Sequence, residues 1–121
     1  MEPPPNPVTG RQLIERYGAG GFRISGIVFA GPVLIFPDRT IVWATATPSL
    51  EGLEPAIAHG GIELILLGLG RRVAPVAPQL RAALKARGIG VEAMETGAAC
   101  RTYNLLAAED RLVGAALLPA A

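Results

Sequence analysis

The sequence predicts an α/β domain built on a mixed sheet, and three observations carry that reading. The run Ile62-Glu63-Leu64-Ile65-Leu66-Leu67 is almost continuously apolar and closes on Gly68-Leu69-Gly70, the pattern of a strand buried on both faces. Two further apolar strands alternate with two helical patterns between that run and Leu118. Earlier, two β-rich runs flank the turn-forming triplet Pro37-Asp38-Arg39, which reads as a hairpin.

Taken in chain order, residues 1–10 (MEPPPNPVTG) read as a flexible Pro-rich tail, and 11–121 as a single domain. With neither a basic start leading into an apolar stretch nor an Arg-rich amphipathic pattern, the tail is not expected to be a secretory or transit signal. Arg11 to Gly31 is dense in glycine, which suits tight turns and short strands. Phe22-Arg23-Ile24-Ser25 alternates apolar and polar residues, and Ile27-Val28-Phe29 follows across a turn at Gly26. Val33 to Phe36 and Thr40 to Trp43 form the hairpin. A short helix is expected within Pro48 to Ala58, its length or start limited by Pro55. Pro78 to Arg87 carries apolar residues at Leu80, Ala83, Leu84 and Ala86 with Arg81, Lys85 and Arg87 elsewhere on the turn, and Gly88 is the C-terminal stop. Ile89 to Met94 is a short strand. Thr96 is expected to cap a helix from Gly97 to about Ala108, and Arg111 to Leu118 supplies the last strand. Strand-helix-strand-helix-strand from Ile62 onward implies parallel strands with helices covering the sheet. The earlier hairpins either extend that sheet or pack beside it.

Composition narrows the function classes. The chain is 50% hydrophobic and 17% charged, with a mean hydropathy of +0.40, which is too apolar for disorder. A net charge of +1 offers no broad field for nucleic acid or an anionic membrane. No apolar run approaches the roughly 18–20 residues of a membrane span. A single cysteine excludes an internal disulfide, and with one histidine there is no structural zinc pattern. A soluble cytoplasmic protein without metal or cofactor is therefore expected.

Two segments attract attention as chemistry. Gly68-Leu69-Gly70-Arg71-Arg72 follows a parallel strand, where ligands gather in open α/β sheets. It matches neither the dinucleotide fingerprint nor the Walker lysine motif. Glu95 to Asn104 is the densest polar stretch and opens a helix, whose free amides attract anions. Since both follow sheet strands, Gly68, Gly70, Arg71, Thr96, Gly97, Cys100, Arg101 and Tyr103 are candidates for one anion-accepting pocket, with Arg101 as a bidentate partner. The opposing reading is structural, and the residue types favour it: Arg101 pairs with Glu95, Glu92 or Glu109, Thr96 only caps, and Cys100 is a small buried hydrophobe with no nearby base. Tyr103 then packs on an apolar face with its hydroxyl reaching a partner. His59 reads as a helix-end residue.

The segments Tyr17 to Gly26 (YGAGGFRISG), Trp43, Glu63 to Gly70, Met94-Glu95-Thr96, Ala98 to Asn104 (AACRTYN) and Gly114 to Leu117 occur in order. Together they resemble the Mth938-like domain family, shared by bacterial and archaeal proteins of unknown function and by mitochondrial respiratory complex I assembly factor three. The likeness spans about Leu13 to Pro119. It implies a three-layer α/β domain with an N-terminal β-hairpin addition, and a role in assembling membrane complexes by analogy with the mitochondrial member. It carries over no catalytic residues. Where the family loop often reads Gly-Thr-Gly, this chain has Leu69, which weakens a phosphate role for that loop. The leading expectation is a non-enzymatic interaction or assembly factor presenting the glycine-rich region and the Arg101 surface to a protein partner, with peripheral contact to membrane-complex subunits. The alternative is a small enzyme or ligand-binding domain using the Thr96 helix start and the Gly68–Arg72 loop.

Overall fold

A computed structural model describes residues 11–120, so the Pro-rich tail expected at residues 1–10 lies outside the described residues. The elements run β1 (Ile14–Gly18), β2 (Gly21–Ile24), β3 (Ile27–Ala30), β4 (Val33–Ile35), β5 (Thr40–Val42), α1 (Glu54–His59), β6 (Leu64–Leu69), α2 (Pro78–Lys85), β7 (Gly90–Met94), α3 (Thr96–Ala108) and β8 (Val113–Leu118). They form two sheets: an antiparallel meander in the order β1-β2-β3, and a five-stranded mixed sheet in the order β5-β4-β8-β6-β7. β6 pairs in parallel with both β7 and β8, while β4 is antiparallel to β5 and to β8. Both fates open to the early hairpins are thus realised, since β4–β5 extends the main sheet and the meander packs beside it. The glycine-rich addition gains a strand over a plain hairpin, because β1 pairs with β2 across a register shift between Ile14 and Arg16.

Side-chain alternation explains the layering. Val33 and Ile35 of β4, Leu66 of β6, and Val113, Ala115 and Leu117 of β8 face a core shared with α3 and with Ile14, Phe22 and Ile24 of the meander. The intervening residues Leu34, Ile65, Leu67 and Ala116 face a second core containing Trp43, Leu53, Ala56 of α1, and Leu80 and Leu84 of α2. A sheet apolar on both faces needs cover on both, and the three layers supply it. Trp43 is buried, and its Nε1 donates to Gly52 O at 2.9 Å.

Local stops follow the expected chemistry. α1 begins late, with Pro55 in its first turn, where the missing amide hydrogen costs nothing. After α2, Gly88 takes φ +78°, Gly88 N–H donates to Lys85 O at 2.9 Å and Ile89 N–H to Leu84 O at 2.9 Å. That pair of bonds is a Schellman stop, and Ile89 and Leu84 meet in the same core. Ser25 and Gly26 both have positive φ, which matches the two-residue β2–β3 turn to the twist of its strands.

His59, the last residue of α1, ties that helix to the β4–β5 turn. Its Nδ1 contacts Gly60 O at 2.8 Å and its Nε2 contacts Asp38 Oδ1 at 2.7 Å, with the ring 4.7 Å from that of Phe36. The hydrogen bond from His59 holds the Asp38 carboxyl below its ordinary value. A carboxyl lowered on folding contributes stability above its unfolded pKa and loses it as pH falls through the folded one. Asp38→Asn is therefore expected to flatten the acid limb of a stability–pH curve below about pH 4. An unchanged limb, followed by urea melts across that range, contradicts the coupling.

Candidate functional site

Parallel pairing of β6 with β7 and β8 brings three carboxyl ends to one edge of the main sheet. The two segments singled out in the sequence meet there. Thr96 N–H donates to Gly70 O at 3.0 Å, and Gly70 N–H donates to Thr96 Oγ1 at 2.8 Å. The same hydroxyl donates to Leu118 O at 2.6 Å. Thr96 is completely buried and is the first residue of α3, not its cap; Glu95 holds the cap position, with no side-chain capping bond. The expected cap is thus corrected: the hydroxyl is committed to joining the ends of β6 and β8, so it is not free for the helix amides.

That junction is closed by direct packing. A Cβ on Gly68 would come within 2.8 Å of Leu117 Cδ2, 3.1 Å of Ala99 Cβ and 3.2 Å of Thr96 Cα. Gly68 therefore lets α3 settle onto β6. Arg71 lies beyond the junction, exposed.

The exposed part of this edge is a small polar group over Gly97. Arg101 Nη1 donates to Tyr17 Oη at 2.9 Å, and Arg101 Nη2 lies 4.0 Å from Glu95 Oε1. Of the three carboxylates considered for Arg101, Glu95 is the one in reach; Glu92 instead faces Arg81 at 4.0 Å. A Cβ on Gly97 would stand 3.0 Å from Tyr17 Oη and 3.2 Å from both Arg101 Nη1 and Glu95 Oε1, so glycine lets the three side chains converge. Tyr17 was not among the sequence candidates, since its partner lies 84 positions away. Nearby, Ala120 N–H donates to Gly18 O at 3.0 Å, and Asn104 accepts from Ile14 N–H at 2.9 Å while donating to Ile14 O at 2.8 Å. The YGAGGFRISG and AACRTYN segments are thus fastened to each other.

Cys100 and Tyr103 belong to the core below. Burial pushes the Cys100 thiol up to about 12, against a smaller opposing pull from Arg101, and its side chain is 1% exposed. It is the buried hydrophobe of the structural reading. Modification by a neutral thiol reagent is expected to be slow in buffer and to accelerate at least about tenfold under unfolding conditions. Fast native-state modification would contradict its inaccessibility. Tyr103 is also fully buried, and its hydroxyl has no hydrogen-bond partner among the described residues. This corrects the expectation of a bonded hydroxyl: Tyr103 belongs to an apolar core with Phe22, Ile24, Ile35 and Leu117, and its hydroxyl is buried there without a partner. Burial raises its ionisation well above the ordinary tyrosine range. Among the described residues no cluster of three His, Cys, Asp or Glu side chains forms a metal site, and no helix is long and apolar enough to cross a membrane.

Residues 14–118 match the model of the protein family of unknown function DUF498/DUF598. An NMR structure of a Mth938-like domain from Bordetella pertussis superposes with a TM-score of 0.79 at 30% identity, covering 98% of this chain and 92% of that one. The chain belongs to the Mth938-like family. Other members are similar across most of the domain. An uncharacterised protein of Rhodobacter capsulatus is 42% identical over 110 residues, 91% of this chain and 86% of that protein. NADH dehydrogenase [ubiquinone] 1 alpha subcomplex assembly factor 3 of Danio rerio is 34% identical over 111 residues, 88% of this chain and 64% of that protein. The chain thus spans less than two-thirds of that assembly factor's length. A crystal structure described as an outer membrane protein from Bartonella henselae has a TM-score of 0.82 at 34% identity, covering 93% of this chain and 98% of that one. Mth938-like membership accounts for the three layers and the meander; it assigns no reaction to the Thr96 edge.

Proposed function

We propose that this Mth938-like chain is a non-enzymatic interaction factor that works from the cytoplasm in the assembly of a membrane protein complex. The observation that carries this reading is the 34% identity to an assembly factor over 88% of the chain. The site chemistry supports it. Cys100 is buried, the Thr96 hydroxyl is occupied by backbone partners, and Tyr103 is enclosed by apolar side chains. The groups left at the surface, Tyr17, Glu95 and Arg101, suit recognition of a polar partner surface. Their outward polar rim beside the glycine-rich meander is the face offered to the partner.

The test is genetic and biochemical together. Deleting the gene in its host is expected to lower the level of at least one membrane complex on native gels, with a sub-complex accumulating. The tagged full-length chain is expected to co-purify with a subunit of that complex, and Arg101→Ala to reduce its recovery severalfold while the melting temperature stays within a few degrees. Unchanged complexes and no reproducible partner would overturn the proposal, as would turnover of a small-molecule substrate by the purified chain.

A further inference from the structure

The two edges of the meander are treated differently. Along β1, the outer edge is covered: Asn104 bonds both backbone groups of Ile14, and Ala120 bonds Gly18 O. The other edge is β3, the terminal strand of the sheet. Gly31 N–H donates to Gly20 O at 3.2 Å, and β2 pairs Phe22 with Phe29 and Ile24 with Ile27 around the Ser25–Gly26 turn. Alternation of an antiparallel ladder then points the N–H and C=O groups of Val28 and Ala30 away from β2. Nothing among the described residues covers them. Proteins ordinarily blunt such an edge with lysine, proline or a covering segment; β3 reads Ile-Val-Phe-Ala, and Val28 is 72% exposed.

The outward face next to this edge has a definite charge. Arg16 lies opposite Arg23, and Arg23 lies opposite Val28, so the three side chains form one row across the meander. Like charges directly opposed on neighbouring strands disfavour the fold. Glu15 accepts from Arg23 Nε at 3.1 Å but shares the same oxygen with Gly26 N–H. Arg16 has no carboxylate partner among the described residues. The row borders a cleft of about 730 Å³ lined by Arg16, Gly18, Gly21, Arg23, Val28 and Ala30, among others.

We infer that β3 is a docking edge for an acidic, extended segment of a partner polypeptide, which adds as a fourth strand to the meander and turns its carboxylates toward Arg23, two strands in at about 10 Å. This inference rests on the interaction role proposed above and gives that partner a chemistry. Strand addition satisfies the open backbone groups of Val28 and Ala30, and alternate side chains extend over Val28 toward Arg23. A second copy of this chain is disfavoured on the same edge, because pairing β3 with β3 would place two arginine rows on one continuous sheet face and bring no carboxylate to Arg23.

The test uses a fluorescein-labelled heptapeptide of alternating glutamate and valine, and its lysine-for-glutamate counterpart, with the full chain at low and moderate salt. The acidic peptide is expected to bind at least tenfold more tightly than the basic one and to weaken as salt rises. Its amide shift changes should centre on Val28, Ala30 and residues 18–23. Arg23→Glu is expected to weaken binding tenfold or more. Val28→Pro, which removes only an edge amide, should do the same without altering charge; it also serves where Arg23→Glu fails to fold. Equal affinity for both peptides, shifts mapping elsewhere, indifference to both variants, or self-association of the chain through β3 would each overturn the inference. Co-purification by the Arg23→Glu chain separates the two levels. An undiminished natural partner sinks this edge and leaves the assembly role standing, whereas a wild-type chain that binds the peptide but recovers no partner sinks the assembly role alone.

Discussion

Replacing Thr96 by valine is expected to lower the unfolding free energy by about 2–4 kcal/mol, because two backbone groups lose a buried partner at about 1–3 kcal/mol each. The isosteric change keeps the packing volume and removes only the hydroxyl between Gly70 N–H and Leu118 O. Thr96→Ser restores the bridge and loses one methyl group, a change of about 1 kcal/mol. The measurement is the urea midpoint at constant slope for the three chains. A valine variant within about half a kcal/mol of wild type would mean that the hydroxyl does not join the strand ends. Function enters through position: the bridge fixes the start of α3, and with it Glu95, Gly97 and Arg101, relative to Tyr17.

Asn104→Leu is expected to cost about 2–3 kcal/mol and to act on a different part of the fold. The carboxamide stands in for a neighbouring strand, accepting from Ile14 N–H and donating to Ile14 O. Leucine does neither. Asn104→Asp keeps an acceptor but turns a carboxylate oxygen toward the Ile14 carbonyl, so it should be no better than leucine. Because these bonds join the meander to α3, amide exchange in Ile14–Gly18 should accelerate before exchange in β6 and β8 does. Uniform acceleration throughout the chain would show that the meander is not a separately released unit.

These two residues mark where reading the sequence succeeds and where it stops. The strand at β6 was legible because an unbroken apolar run bounded by glycines admits few other structures. The parallel strands followed from helices placed between later strands, and the β4–β5 hairpin from its Pro-Asp-Arg turn. β1 escaped because Glu15, Arg16 and a register shift break the alternation that identifies a strand. Thr96 sits where a cap is expected and does something else, since its true partners, Gly70 and Leu118, are 26 and 22 positions away. Asn104 and Tyr17 find partners 90 and 84 positions distant. Local pattern carries no information about such pairings. The candidate site was legible as an edge where two loops meet, and it was not legible whether they would enclose a cavity or bond to each other. Burial of Cys100 followed from its apolar neighbours; the orphaned Tyr103 hydroxyl did not, because satisfaction depends on residues from other elements.

The strand order β5-β4-β8-β6-β7 has a consequence for how the molecule is made. The strand between β4 and β6 comes from residues 113–118, after every other element of the described residues. Until it arrives, the hairpin that precedes it and the parallel pair that follows α1 have no common ladder, and each presents an apolar flank to solvent. The domain therefore cannot consolidate progressively from its N-terminus as the ribosome delivers it. Its main sheet closes in one late step that joins distant parts of the chain, the kind of non-local pairing that folds slowly.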